Sequence, residues 1–323
     1  MTLTDTQKSI IKSIFVKKES SRSILANQLS LTHAGLTLAL KPLLSEKMVL
    51  ESPKKQPSKV GRRELALILN PDYGFLLGVD IKKDHCYYVV TDFAGNLIAH
   101  ACSSDISFDG FFSPFYAKAI ALGVTLKGSY LEKEITERYA VFFSILREHG
   151  IPYFFFNNVD CLADIYSLYH PDEKNFLLVK YGPGVGSSIY VNSKPIGHHS
   201  ELGHVFYQGK TIENTISYSA LLGKETEEEE GVRLLLKDKE KLNTSMSVLA
   251  TLLYNADCIL SLQKIILSGT LLSFPEVKNM LKQEILEIFP SFDTEKLIGY
   301  SDYSDLSIKK AAFGSFIRYF RQK

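Results

Sequence analysis

Two adjacent amides end a run of strand-forming aromatics in YFFFNNVDCLADIYSLY, residues 153–169. A carboxylate at the end of such a strand would suggest a catalytic base. Here the junction is Asn157-Asn158, and the nearest acid, Asp160, comes two residues later. It lies within the helix that follows, where its side chain leaves in a different direction. Asparagine cannot take a proton, but its amide donates and accepts hydrogen bonds, so the pair suits the holding of hydroxyls rather than their deprotonation. Further along, GPGVGSS sets Gly182, Gly184 and Gly186 in a turn between two strands. Such a turn lets backbone N–H groups approach a phosphate, and it serves backbone geometry equally well. HHSELGH then gathers His198, His199, Glu201 and His204. Adjacent histidines with no carboxylate at ligand spacing read as surface or pocket residues. The four cysteines, Cys86, Cys102, Cys161 and Cys258, lie far apart with no CxxC. They are expected to be buried, reduced thiols of a cytoplasmic protein.

The fifth group is electrostatic. Residues 1–63 hold twelve Lys/Arg against four Asp/Glu, a net +8 in a chain whose total is +1, so the remainder carries −7. A basic first fifth on a mildly acidic body points to a separate module with a polyanionic partner. Five of the cations, Lys54, Lys55, Lys59, Arg62 and Arg63, crowd into one short stretch. No apolar run reaches the roughly 18 to 20 residues that span a bilayer, and the first residues carry no signal-peptide core. No membrane partner is expected.

The elements that must position these groups follow from periodicity. Residues 4–18 place Ile10, Ile11, Ile14 and Phe15 on one helical face. Ser21 or Ser23 is a candidate cap for a second helix with Ile24, Leu25 and Leu29 inward, and Thr32 for a third. Pro42 inside the third predicts a kink or break. Two short helices, a tight turn and a longer helix match a helix-turn-helix, whose last helix offers its first residues to base edges. Those are Thr32, His33, Gly35 and Thr37, without the Arg or Asn of strong base readout. MVLESPKKQPSKVGRRELALIL then reads as strand, basic turn and strand. This is a wing whose cations suit phosphate or minor-groove contact.

From residue 76 the pattern turns to strands. LLGVDIKKDHCYYVVTDFAGNLIAHA reads as three strands joined by turns, with Ala94-Gly95-Asn96 as a hairpin turn. NFLLVKYGPGVGSSIYVNSKPIGHH repeats that grammar about a hundred residues later, with Asn192-Ser193 as its second turn. Two strand-rich units, each followed by helices, predict a duplicated α/β body with a cleft between lobes, the usual place for a small molecule. KETEEEE (224–230) reads as a solvated acidic helix face, and the aromatics of 111–116 and 153–156 as core or lobe-interface packing, with a shelf under a sugar ring as the alternative.

The order of VGRRELALILNP, LLGVDI, GIP…NN, YGPGVGSSIYVNSKPIG, SELGHV and IILSG after a winged helix resembles the ROK family of repressors, uncharacterised reading frames and sugar kinases. It resembles in particular the repressor branch that includes the xylose and N-acetylglucosamine repressors. The resemblance covers nearly the whole chain and implies two actin-like, ribonuclease-H-like lobes. It also implies a sugar or sugar derivative in the cleft, and a homo-oligomer, dimer or tetramer, on operator DNA. The implied domains are a winged helix-turn-helix at 1–70, a first lobe at 71–175 and a second at 176–307, with a C-terminal helix at 308–323 packing back on the first lobe. The implied sugar ligands are Asn157 and Asn158, then Glu201 and His204, with Glu213 as the later acid. DNA would be met by Thr32, His33, Thr37, Lys54, Lys55, Lys59, Arg62 and Arg63.

Departures from the family pattern set the expected activity. Kinases carry a first turn close to DIGGTK, where this chain has Asp80-Ile81-Lys82-Lys83-Asp84-His85 and neither glycine. IILSGTLL keeps only Gly269 of the usual late pair. An Asn stands at 158 where kinases have the base. The family's zinc motif, roughly CxCGxxGC, follows ExGH, whereas no cysteine occurs here between Cys161 and Cys258. No zinc or other cofactor is therefore expected. The expectation is a sugar-sensing repressor without kinase activity. The alternatives are a sugar kinase with a DNA-binding head, and a regulator that has lost its ligand and answers to a protein partner.

Overall fold

The computed structural model describes residues 3–53, 65–82, 85–103, 108–126, 132–196, 201–299 and 306–321. The chain divides into two compact units, Met1–Asn158 with Ile308–Lys323, and Val159–Ser307.

The first unit opens with α1 (Asp5–Lys17), α2 (Arg22–Gln28) and α3 (His33–Ser45). Thr4 and Gln7 form a capping box on α1: the Thr4 hydroxyl accepts from Gln7 N–H and the Gln7 side chain accepts from Thr4 N–H. Ser21 and Thr32 cap α2 and α3 through their hydroxyls. Between α2 and α3, Ser30 sits at φ 53. Leu31 N–H returns to the Ala26 carbonyl at 2.9 Å, and Ser30 N–H to that of Asn27. This Schellman closure reverses the chain within four residues. Ile10, Ile11, Ile14, Phe15, Leu25, Leu36, Leu40 and Leu43 form the buried seam.

Two local expectations fail here. Ile24 is exposed, because Leu25 and Leu29, one turn apart, take the inward face of so short a helix and Ile24 lies beside it. Pro42 does not break α3, which continues to Ser45. The carbonyl that proline leaves without a partner belongs to Leu38, whose side chain is 73% exposed, so it lies on the solvent side.

β1 (Val49–Pro53) and β2 (Leu65–Leu69) pair antiparallel, and Ser20 bridges Leu67 as a third edge. The first sheet follows: β3 (Phe75–Ile81), β4 (Cys86–Asp92) and β5 (Leu97–Ser103), then, after α4 (Phe108–Phe112), β6 (Ala119–Leu126). α5 (Glu132–Arg138) and α6 (Ala140–Glu148) lead to β7 (Tyr153–Asn157), and α7 (Asn158–Tyr169) crosses into the second unit. Its order is β5-β4-β3-β6-β7, an antiparallel meander extended by parallel strands. The 111–116 and 153–156 aromatics do pack in its core, with Phe112 and Phe156 buried.

The second unit repeats this plan. β8 (Phe176–Tyr181), β9 (Val185–Val191) and β10 (Lys194–Pro195) form the meander. A hairpin of β11 (Phe206–Tyr207) and β12 (Lys210–Thr211) leads to α8 (Glu213–Ile216), α9 (Tyr218–Leu222), α10 (Glu228–Leu235) and α11 (Lys239–Leu260). β13 (Lys264–Ser268), α12 (Pro275–Ile288) and β14 (Leu297–Gly299) complete the order β10-β9-β8-β13-β14. The duplication predicted from the two strand-turn-strand passages is thus present strand for strand. Turns fall at Gly95 and at Asn192-Ser193, which have positive φ.

α13 (Leu306–Tyr319) returns to the first unit. It lies on Gly78 and Gly123, register partners on β3 and β6. A Cβ on Gly78 would meet Ala312 N at 2.6 Å, and one on Gly123 would meet the Ala311 carbonyl oxygen at 2.0 Å. Two bare Cα positions side by side let the helix backbone settle onto the sheet. Its other face meets the head: Phe316 stacks on Phe15 with ring centroids 4.0 Å apart, and Phe313 meets the same ring edge-on. Lys18 Nζ donates to the Ala94 carbonyl at 2.9 Å, so α1 is also fixed to the β4–β5 turn.

Cys86 and Cys161 are buried as expected, and burial pushes the Cys86 thiol up to about 11. Cys102 and Cys258 are exposed instead, one on edge strand β5 and one near the end of α11 beside the 80%-exposed Ile259. Among the described residues no helix is long and apolar enough to cross a membrane.

Candidate functional site

At the start of α3, Thr32, His33 and Thr37 are all exposed. The Thr32 hydroxyl accepts from Gly35 N–H at 3.1 Å, and the Thr37 hydroxyl donates to the His33 carbonyl at 2.8 Å. The first holds the helix end. The second spends its proton internally and leaves lone pairs outward. Sequence reasoning passed over Lys41, exposed one turn beyond Thr37 and so on the same side of α3. Its signal was a lysine at i+4 from a chosen residue. Lys54, Lys55, Lys59, Arg62 and Arg63 lie outside the described residues.

In the first unit, β7 ends at Asn157, which pairs with Leu126, and Asn158 is the first residue of α7. Asn158 Oδ1 is buried and meets no hydrogen-bond donor among the described residues. An acceptor left so costs about 1–3 kcal/mol. The β3 end is arranged in the opposite way, with both Asp80 carboxylate oxygens engaged. Asp80 Oδ2 meets Lys310 Nζ from α13 at 2.7 Å and Lys82 Nζ at 3.0 Å, and Asp80 Oδ1 accepts from the Thr125 hydroxyl at 2.7 Å. Burial opposes ionisation of Asp80. The charges of Lys310 and Lys82, with hydrogen bonds from Lys310 and Thr125, outweigh it and hold the carboxyl below its ordinary range. Lys83 and Asp84 of this turn lie outside the described residues.

In the second unit the motif residues gather around Val185. Gly203 lies so close to β9 that a Cβ would sit 2.1 Å from the Val185 carbonyl oxygen. This contact, with Leu202 N–H donating to the Ser187 hydroxyl at 2.9 Å, sets the short turn carrying partly buried Glu201 and exposed His204. On the other side of the same residue, Val185 N–H donates to Glu213 Oε2 at 2.8 Å. Glu213, placed in the sequence as a sugar ligand, therefore spends one oxygen on the glycine turn. The chain between His204 and Glu213 is the tight β11–β12 hairpin, turning on Gln208 and Gly209 at positive φ. His198 and His199 lie outside the described residues.

The acidic stretch 224–230 is only partly the solvated face expected of it. Glu230 pairs with Lys224 at the surface. Glu228 is partly buried: its Oε1 accepts from Thr270 N–H at 3.0 Å, and its Oε2 lies where a Cβ on Gly182 would be, 2.6 Å from that position. The ring of Tyr218 explains this. Gly231 has no side chain to strike it, so α10 lies against the tyrosine and its first residue reaches the glycine turn.

No protein-family profile matches the chain. Over 92 residues, 28% of this chain, it is 29% identical to the xylose repressor of Bacillus subtilis (strain 168). Over 89 residues it is 29% identical to that of Caldicellulosiruptor bescii. The matched stretch spans 24% and 22% of those repressors' own lengths. The fold is that of a ROK family transcriptional regulator, a homolog of the E. coli MLC protein, with a TM-score of 0.71 at 16% identity, covering 98% of this chain and 99% of that one. A ROK hexokinase from Thermus thermophilus matches with a TM-score of 0.61 at 13% identity, over 77% of this chain and 100% of its own. A ROK family protein from Streptococcus pneumoniae TIGR4, solved with sucrose, matches with a TM-score of 0.59 at 13% identity, over 76% of this chain and 98% of its own. The chain thus has the fold of these ROK family structures, and its sequence likeness to the xylose repressors is confined to about a quarter of their length.

Proposed function

We propose that the chain is a DNA-binding transcriptional repressor of ROK type that senses a sugar or sugar derivative and does not phosphorylate it. The observation that carries the DNA-binding role is the tight Ser30 turn leading into α3, whose first residues Thr32, His33 and Thr37 face solvent. Likeness to xylose repressors supports it, as does near-complete coverage by a ROK transcriptional regulator that extends beyond the kinase-like body. Modest direct readout by threonine and histidine leaves much of the affinity to charge, from the basic wing residues, and binding would weaken as salt rises. The chain acts as a homo-oligomer in this proposal.

For the sugar, support comes from Asn158. A buried amide oxygen lacking a donor is suited to a ligand hydroxyl, which would repay the cost of leaving it bare. Asn157, Glu201, His204 and Glu213 are the remaining candidate ligands. The absence of kinase activity is argued from chemistry: Asn158 takes no proton, and Asp80 is already neutralised by two lysines. No zinc is required in this scheme. A sugar then acts only through a difference in affinity between two states of the protein.

The test has two arms. Genomic fragments retained by the full chain identify an operator, and Thr37→Ala with His33→Ala should weaken binding to it about tenfold or more. A sugar and sugar-phosphate panel should raise the melting temperature for at least one compound, and Asn158→Ala should abolish that rise. Retention of no specific fragment, or robust ATP-dependent phosphorylation of a sugar abolished by Asn158→Ala, would overturn the proposal.

A further inference from the structure

In the second unit the carboxyl ends of β8 and β13, parallel neighbours, lead into two turns: Gly182-Pro183-Gly184 and Gly269-Thr270. Crevices beyond the carboxyl ends of parallel strands are the usual ligand sites of α/β sheets. Turns with bare Cα positions and free N–H groups there make concavities that favour anions. Neither turn is free here. Gly182 N–H donates to the Gly184 carbonyl at 3.0 Å. Val185 N–H is taken by Glu213 at 2.8 Å and Thr270 N–H by Glu228 at 3.0 Å. The two carboxylates also fill the space that the glycines leave. Glu228 Oε2 lies 2.6 Å from the position of a Cβ on Gly182, and Glu213 Oε2 lies 2.8 Å from that on Gly184.

Glu228 spans both turns, with one oxygen on Thr270 and the other over Gly182. It is held there on several sides. Thr226, buried just before it, donates its N–H to the Ser219 hydroxyl and its own hydroxyl to the Lys224 carbonyl. Gly231 seats α10 on Tyr218, and Tyr218 N–H in turn donates to the Gly182 carbonyl. A side chain fixed by the strand-end turn, the following helix and the next loop is not simply an incidental surface acid.

We propose that Glu228 is a built-in anion that occupies the place a phosphate group would take at the Gly182 and Thr270 turns, and so excludes nucleotides from the second unit. This deepens the reading of the chain as a regulator without kinase activity. It assigns part of that loss to one carboxylate, which takes the donors a phosphate would need and repels its charge. The expectation is distinct from erosion of glycines: the cradle persists and is filled.

The experiment titrates MgADP and inorganic tripolyphosphate into the full chain by calorimetry. Glu228→Ala removes the charge, empties the space over Gly182 and frees Thr270 N–H, and it should tighten binding of both probes about tenfold or more over the unmodified chain. Glu229→Gln, the same charge change at an exposed neighbour, should leave binding unchanged. Each variant is first shown to melt cooperatively, and Glu228→Gln, which removes only the charge, replaces Glu228→Ala if the latter does not. Equal binding by the unmodified chain and the Glu228 variant overturns the proposal, and so does an equal gain in Glu229→Gln. Failure here with operator binding intact overturns only the role of Glu228. Loss of operator binding by the unmodified chain overturns only the regulator.

Discussion

Replacing Lys310 by methionine tests whether α13 is tied electrostatically to the first sheet. Lys310 is 7% exposed and Asp80 9%, so their contact of 2.7 Å is a buried pair. Removing one partner of such a pair usually costs about 3–5 kcal/mol, because the other charge remains buried. Here the loss is smaller. Lys82 lies 3.0 Å from the same Asp80 oxygen, and Thr125 still bonds the other. The Lys82 side chain is 34% exposed, so solvent screens it and it makes up only part of the deficit. The expected cost of Lys310→Met is therefore about 2–3 kcal/mol. Urea denaturation followed by far-ultraviolet circular dichroism measures it, since the chain has no tryptophan. The cycle is closed by Asp80→Asn and by the double variant, in which no buried charge faces a missing partner. The double variant should be more stable than the sum of the single losses implies by about 1 kcal/mol or more. A Lys310→Met cost below about 0.5 kcal/mol, or strict additivity, would refute the reasoning.

Two further outcomes follow from the same region. Because the Asp80 carboxyl is held below its ordinary range in the fold, the unfolded chain binds its proton at higher pH than the folded one. Its stabilisation is complete above the ordinary carboxylate range and is lost as pH falls through that range towards the folded value. The stability gap between the natural chain and Asp80→Asn should therefore shrink on acidification from neutral pH, and a gap that widens would contradict the assignment. Gly123→Ala sets a methyl group 2.0 Å from the Ala311 carbonyl oxygen, so α13 must shift. A loss of about 1–3 kcal/mol with earlier proteolysis at the C-terminal end is expected, and an unchanged melt would show that the helix is not seated on Gly123.

Much of this architecture could be read from local patterns. Helix caps at Ser21 and Thr32, the two strand-turn-strand passages and the repeat a hundred residues apart are written in short-range chemistry. Capping hydroxyls and glycine-bearing or Asn-Ser turns act over a few residues, so a linear reading finds them. The same holds for the missing cysteines, the Lys82-Lys83 turn and the amide at 158, whose types bound the chemistry wherever the chain folds. Local reading also failed at two positions where burial, not residue type, decided the outcome. Ile24 lost its inward place to Leu25 and Leu29, and Pro42 was tolerated because the carbonyl it frees faces water.

Other roles depended wholly on tertiary placement. Gly78 and Gly123 are 45 positions apart, yet they meet as register partners under Ala311 and Ala312, a contact no spacing rule anticipates. Asp80 reads as a strand-end acid until Lys310, 230 residues away, supplies its partner. Glu213 reads as a sugar ligand and Glu228 as one of a run of solvated acids, until the fold brings both carboxylates to the glycine turn. The physical reason is common to all of them. Residue type dictates what a group can donate, accept or bury, and period and turn chemistry dictate its local direction. Only the packed chain decides which partner consumes that capacity.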